Sequence, residues 1–315
     1  MSSRSKVRGF RLMSALVIGL FAVSIRAAEP PNDVDFQRDV VYGKGGGVDL
    51  KLNLSRPKNP ALKMLPCVVV IHGGGWAGGD RTNHDDLTWK FAQQGYVSAT
   101  IGYRLAPKHR FPAQVNDVKC AVRFLRAHAD EYGIDPDHFG AIGFSAGGHL
   151  SMMLGLTDKK DGLEGDGGSP DQSSKVQAVV SFFGPTNLLA DDIPQQVLGI
   201  LDQFIGGTKS EKQDDYRKAS PITYVTPDDA PMLLFQGTKD PLVPHTQTYP
   251  MLEAMTKNGI PGRIELLIGA SHGWGDPELR RTAVSSFAFF DDHLKAKPGT
   301  AKAPEKPANP PAGRG

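Results

Sequence analysis

Cysteine is nearly missing from this chain: its 315 residues carry only two. That scarcity excludes the disulfide-dense scaffolds of small secreted domains. Cys67 opens an apolar, strand-like run and Cys120 falls in a helical pattern, where free cysteines serve as small hydrophobes. After export the two have the chance to pair, and their spacing leaves open whether they are close enough. No Cys/His cluster has the spacing of a zinc site, and the acidic stretch 158–175 lacks the EF-hand pattern. An excess of one charge is lacking too. The 36 Lys and Arg stand against 34 Asp and Glu, a formal net charge of +2, with no dense basic run in the folded part. Nucleic acid is therefore a poor candidate partner. Nor is the composition that of a disordered chain, because 39% of residues are hydrophobic and 22% charged. A chain of this length buries one large core or two modest ones.

Long apolar runs are confined to one place. Leu12 to Ile25 is apolar, follows the basic residues Arg4, Lys6, Arg8 and Arg11, and precedes the small residues Ala27 and Ala28. That layout is a signal peptide over residues 1–28, too short in its apolar part for a comfortable membrane span. Arg26 stands where a small residue is preferred before a cut after Ala28, so a retained signal anchor is the other reading. Export, to the periplasm or the medium, is the expectation, with no span left after cleavage. Residues 296–315 are rich in Pro, Ala and Lys with no large apolar side chain, and read as a disordered tail. The folded domain is then 29–295.

Inside it, short β-branched or apolar runs recur at Val68 to Ile71, Val97 to Ile101, Phe139 to Gly143, Val176 to Phe183, Met232 to Gln236 and Ile264 to Ile268. Continuous rather than alternating hydrophobicity predicts strands buried on both faces, in a parallel sheet covered by helices. Helical patterns lie between them. Ala113 to Tyr132 stops at Gly133, and Thr246 to Asn258 stops at Gly259, with Pro250 able to kink its first turns. A last helix takes Asp276 as N-cap and Pro277 at its first position, and turns Leu279, Ala283, Phe287, Phe290 and Leu294 to one face. Two stretches interrupt the rhythm. Residues 158–175 read as a solvated surface loop, and 187–229, with one short helix near 196–204, is either a small cap or a long crossover. The repeated strand-helix units argue for a single α/β domain.

Two stretches, "GFSAGGHL" at 143–150 and "GASHG" at 269–273, fit G-x-S-x-G. Ser145 follows a strand and precedes the apolar helix Ala146 to Leu156, a context that strains the serine backbone and lifts its hydroxyl above the sheet edge. Gly143 and Gly147 keep that turn free of collisions. The strand Val68 to Ile71 runs into His72-Gly73-Gly74-Gly75-Trp76, whose amides are open to a substrate oxygen. An oxyanion hole would combine the N–H groups of Gly74, Gly75 and Ala146, with Trp76 and Phe144 as flanking substrate contacts. His72 reads as a structural hydrogen-bonder.

A serine nucleophile needs a base and an orienting acid, which come later in the chain, acid first. Asp240 follows the strand Met232 to Gln236, and His272 follows Ile264 to Ile268, so both reach the same edge as Ser145. The second motif thus supplies the histidine, and Ser271 is a bystander. His245 is a cap or surface residue, His149 a packing residue, and His84, His109, His128 and His138 lie in polar, solvated surroundings. Asp191, Asp192 and Asp202 are not at a strand end, and Asp228 and Asp229 precede their strand.

"HGGGW", "YRLAP" and "GFSAGGHL" resemble the α/β-hydrolase carboxylesterases of the hormone-sensitive-lipase type. The run from Phe111 through Leu150, with "GTKDPLVP" and "SHGW", is closer to secreted bacterial esterases related to feruloyl and acetyl-xylan esterases. The resemblance spans roughly Val40 to Leu294. One departure is Phe144, where the lipase group usually carries Asp; the large N-terminal cap helices of that group are also missing. The resemblance implies an α/β-hydrolase fold, with a mostly parallel central sheet and helices on both faces. It also implies ester hydrolysis through a Ser145–Asp240–His272 triad and an acyl-enzyme, on short-chain or carbohydrate-linked esters, without metal or cofactor. An amidase, formamidase or peptidase on the same fold, or a binding protein on a hydrolase scaffold, are the alternatives.

Overall fold

The computed structural model describes residues 29–295. The signal-peptide reading of 1–28 and the tail reading of 296–315 lie outside the described residues. One eight-stranded sheet runs β1 (Val34–Gly45), β2 (Val48–Pro57), β3 (Leu65–Ile71), β4 (Val97–Ile101), β5 (Ile134–Phe144), β6 (Ala178–Phe182), β7 (Met232–Gly237) and β8 (Gly262–Leu267) in sequence. Its spatial order is β1-β2-β4-β3-β5-β6-β7-β8. Only the pairings of β2, with β1 and with β4, are antiparallel. From β4 to β8 every pairing is parallel.

The helices α1 (Asp85–Gln93), α2 (Ala113–Ala127), α3 (Ala129–Tyr132), α4 (Ala146–Leu156), α5 (Gln195–Ile205), α6 (Gln213–Lys218), α7 (Thr248–Asn258) and α8 (Glu278–Leu294) cover both faces. The continuous apolar runs have the expected cause. In β3, Val69 and Ile71 join the apolar cluster on one face of the sheet, where α4 packs on the strand and Leu150 is a member. The alternate residues Val68 and Val70 pack with Phe91 of α1 and Phe290 and Leu294 of α8. Each such buried Val or Ile contributes about 1.5–3 kcal/mol, so a polar residue on either face of β3 would be costly. The fold is the α/β-hydrolase fold, as expected.

Several local expectations need correction. The helix read over 113–132 breaks at His128 into α2 and α3, and Gly133 ends α3 in the left-handed region at φ 69°. The last helix starts at Glu278 with no side-chain cap; Asp276 instead pairs with Arg280 at 2.7 Å. Its Leu279 is half exposed, while Phe290 and Leu294 are buried as expected. The 158–175 stretch is pinned to α2, because the buried Lys119 and Arg123 donate to Glu164 at 2.8 and 2.7 Å. Ser174 completes that cluster. Cys67 and Cys120 are both buried and unpaired. The hairpin β1–β2 was not foreseen. Its turn is Gly46-Gly47 at φ 54° and 78°, the positive angles that a two-residue turn of this type requires.

Parallel register is what prepares the site. Ile71 of β3 lies opposite Gly143 of β5, Phe144 opposite Phe182 of β6, and Gly237 of β7 opposite Leu267 of β8. The strands therefore end level, and the loops after β3, β5, β7 and β8 emerge along one edge.

Candidate active site

Ser145 is the residue at which β5 turns into α4. Its backbone sits at φ 53°, ψ −118°, a conformation that costs a non-glycine residue about 1–3 kcal/mol. The neighbours explain how it persists. A Cβ on Gly143 would lie 2.2 Å from the Gly147 carbonyl oxygen, and one on Gly147 would lie 2.1 Å from that of Ile71. Only glycine permits this approach. The Ser145 N–H donates to Phe182 O at 2.9 Å, which ties the turn to β6. Ala146 opens α4, so its N–H is one of the first-turn donors without a partner inside the helix, at the positive end of its dipole.

His272 and Asp240 converge on this hydroxyl. His272 Nε2 is 2.9 Å from Ser145 Oγ, and His272 Nδ1 is 2.8 Å from Asp240 Oδ2. The Asp240 side chain has no exposed surface, and that of His272 is 17% exposed. Burial alone would raise the Asp240 pKa. Hydrogen bonds from His272 and from the Val243 and Leu242 N–H groups outweigh it and hold the carboxyl below the usual range. Asp240 is thus a fixed anion beside one imidazole nitrogen, with the serine hydroxyl at the other.

Sequence reasoning missed three residues that steady this chain. Gln236 of β7, buried, donates to Asp240 Oδ2 at 3.0 Å and to Val243 O at 2.8 Å. Phe183, at φ 42°, sets its ring 4.6 Å from the His272 ring, and Trp274 packs edge-on against Phe183. Gln236 lies four residues before the acid, at the end of the strand whose following turn carries it, a signal that was available. The aromatic contacts depend on loop paths and leave no such trace.

The glycine loop after β3 lies against the serine turn. A Cβ on Gly73 would meet the Phe144 carbonyl oxygen at 2.7 Å, and Gly74, Gly75 and Trp76 all have positive φ. Gly74 O accepts from Ala77 and Gly78. The "YRLAP" segment braces the loop from behind: Tyr103 donates to His72 O at 2.9 Å and stacks on the His72 ring, while Ala106 N donates to Trp76 O. Asp117 fixes that segment through paired contacts with Arg104. His72 is structural, since it is buried and its Nδ1 bonds Gly73 O at 2.7 Å.

Trp76 stacks on Phe204 of α5 and donates to His149 Nδ1 at 3.2 Å, and His149 Nε2 donates to Ala219 O at 2.6 Å. His149 is therefore a packing residue with a fixed tautomer. An apolar cavity of about 90 Å3 is lined by Ser145, Gly75, Trp76 and residues of α5, among others. The 187–229 stretch is thus a cap, and it carries a second helix, α6, that was not foreseen. Phe144, expected to contact substrate, does not line this cavity; it faces a separate cleft between α1 and α8 and stacks on His84. His84, His109, His128 and His138 are half-buried rather than solvated, and His128 packs on Phe124. Ser271 is exposed in the turn that bridges to Gly273, away from the contacts around Ser145. Among the described residues no group of His, Cys, Asp and Glu is arranged to hold a metal ion.

Comparison with known proteins gives a consistent picture. The BD-FAE family model matches residues 52–255. Esterase LipC of Mycobacterium tuberculosis is 31% identical over 261 residues, covering 80% of this chain and 63% of the relative. The chain spans about half to two thirds of the length of the curated Mycobacterium esterases it matches. A truncated carbohydrate esterase from gut microbiota superposes with a TM-score of 0.73 at 26% identity, covering 84% of this chain and 98% of that one. A thermophilic esterase from Thermogutta terrifontis, solved with propionate, gives a TM-score of 0.69 at 28% identity, over 83% and 96% of the two chains.

Proposed function

Because the chain belongs to the BD-FAE family, within the α/β-hydrolase carboxylesterases, we propose that it hydrolyses carboxylic esters with Ser145 as nucleophile. The observation that carries this reading is the unbroken hydrogen-bonded chain from Ser145 Oγ through His272 to Asp240, at 2.9 and 2.8 Å. His272 Nε2 takes the Ser145 proton as Oγ attacks the ester carbonyl, and returns it to the departing alcohol oxygen. Asp240 holds the tautomer with the proton on Nδ1 and stabilises the imidazolium that forms. The oxyanion is received by the N–H groups of Gly74, Gly75 and Ala146, each donor being worth about 10²–10³ in rate. Water, activated by the same His272, then hydrolyses the acyl-enzyme. Every step uses groups of this chain.

Short-chain or carbohydrate-linked esters are the proposed substrates. The small apolar cavity and the names of the carbohydrate esterase and propionate-bound neighbours support that range. The basic-then-apolar N-terminus supports export, to the periplasm or the medium. Among the described residues no helix is long and apolar enough to cross a membrane.

The test is turnover of p-nitrophenyl acetate by purified protein, with acetylated xylan, a feruloyl ester and a formanilide alongside. Ser145→Ala and His272→Ala should lose ester hydrolysis while keeping the fold by circular dichroism, and Ser271→Ala should keep most of it. Full turnover by Ser145→Ala would refute the assignment. Formanilide cleavage exceeding ester cleavage would favour the amidase alternative.

A further inference from the structure

We propose that the cleft behind the glycine loop is a second binding site, for a neutral polyhydroxylated ligand the size of one pyranose ring, with His72 Nε2 as its hydrogen-bond acceptor. The cleft lies between the start of β2, residues 102–105 after β4, and residues 79–81. It shares no lining residue with the apolar cavity at Ser145. His72 lines it and is only 2% exposed. Its Nδ1 is 2.7 Å from Gly73 O, and a carbonyl only accepts, so Nδ1 carries the proton. Burial draws the ring's pKa below the usual histidine value, which keeps Nε2 unprotonated with its lone pair available. Tyr103 covers one face of the ring, stacked with centroids 4.2 Å apart. Among the described residues no donor reaches Nε2. A buried acceptor left unpaired is costly, so this one calls for a donor from outside the chain.

The rest of the lining decides the chemistry of that donor. Charges of both signs ring the cleft, Lys51, Arg81 and Arg104 against Asp49 and Asp80. Each already faces an opposite charge. Asp49 meets Lys44 at 3.6 Å, Lys51 meets Asp39 at 3.8 Å and Arg104 meets Asp117 at 2.7 Å, while Arg81 pairs with both Asp39 and Asp80. A charged ligand therefore finds no spare counter-charge to offset its lost hydration. A neutral one finds donors and acceptors side by side, which suits hydroxyl groups, since each can give and take a hydrogen bond. Val48, Leu50 and Leu105 add an apolar wall for the carbon-bearing face of a sugar ring. At about 180 Å3 the space is below the roughly 300–1,000 Å3 of a drug-sized site, so it holds a single ring. A hydroxyl bonded to Nε2 would also polarise the imidazole and strengthen the Nδ1–H bond that holds Gly73.

The experiment is imidazole nitrogen NMR on the full chain labelled at histidine, titrated with D-xylose, D-glucose and D-galactose. D-glucuronate and D-glucosamine serve as the charged counterparts. The signal missing from His72→Asn identifies Nε2, and it should shift and saturate with at least one neutral sugar and with neither charged one. His72→Asn can still donate to Gly73 O but lacks Nε2, so saturation transfer to the sugar protons should report binding about two- to tenfold weaker. Val48 is 38% exposed, so Val48→Trp fills the cleft without entering the core and should weaken binding at least about tenfold. No Nε2 shift with any neutral sugar would overturn the proposal, leaving solvent alone to serve that nitrogen. An equal shift with a charged sugar, or undiminished binding by folded Val48→Trp, would overturn it too. The site does not depend on the ester-hydrolase reading: Ser145→Ala should bind the sugar as wild type does, whatever its ester turnover.

Discussion

Acidification should loosen this protein through one buried side chain, His149. Its Nε2–H donates to Ala219 O at 2.6 Å and its Nδ1 accepts from Trp76 at 3.2 Å, so both nitrogens are committed in the neutral ring. A proton on Nδ1 would face the indole N–H and remove its acceptor. Burial pulls the pKa down from 6.5 to about 4, against a smaller opposing pull from the Ala219 carbonyl. The folded pKa is depressed, so between pH 6.5 and 4 the unfolded chain holds a proton that the native one refuses. Stability is unaffected by this group above pH 6.5 and declines as pH falls toward 4. At 1.36 kcal/mol per pH unit, that interval amounts to about 3 kcal/mol, lost by pH 4. The assay is urea unfolding followed by circular dichroism at pH 7 and pH 4, for wild type and His149→Gln. Carboxylates elsewhere titrate in both proteins and cancel in the difference. The variant should be less stable at pH 7, by about 1–3 kcal/mol for the lost acceptor and cavity, and the gap should close or reverse at pH 4. A gap that stays constant within about 0.5 kcal/mol would show that His149 does not titrate in this range.

Three further outcomes are expected. Gly147→Ala should destabilise the protein by several kcal/mol and abolish activity, because the methyl collides with the β3 backbone at Ile71 and not with a movable side chain; thermal unfolding and ester turnover measure both. Asp240→Asn should leave the fold intact and lower kcat about 10⁴-fold, since the amide cannot act as the anion facing His272; a loss under tenfold would contradict the proposed role. Lys119→Met should loosen the 158–175 stretch, which Arg123 still holds, seen as faster limited proteolysis there, with ester turnover within a few-fold of wild type.

The central strands were readable because both faces of the sheet are covered, which leaves short, buried, β-branched or apolar stretches in β3 to β7. The hairpin was not read, although Leu50, Leu52 and Leu54 alternate with polar residues in β2 and are all buried. Their partner β1 is an edge strand whose mixed sequence hides the signal, and a search for continuous runs passes over it. The meeting of Ser145, Asp240 and His272 was legible for a topological reason: each follows a strand, and parallel strands of matched register deliver their ends to one edge. Residues that reach the centre sideways were not legible. Gln236, Phe183 and the Trp76–His149 contact depend on how loops fold over that edge. Phe144 was misplaced for a related reason: next to a sharply turned serine, adjacent side chains point to opposite sides of the sheet.

The position of the cap in the chain has a consequence for how such proteins diversify. All of residues 187–229 lies between β6 and β7, whereas the reacting atoms hang from β5, β7 and β8. Exchanging that insert would replace the α5 wall of the cavity while the walls from the glycine loop and from Val243, and the triad itself, stay anchored in separate strands. One stacked pair limits the exchange. Any replacement must still offer a ring to Trp76 where Phe204 now stands, or the glycine loop loses its contact with the cap.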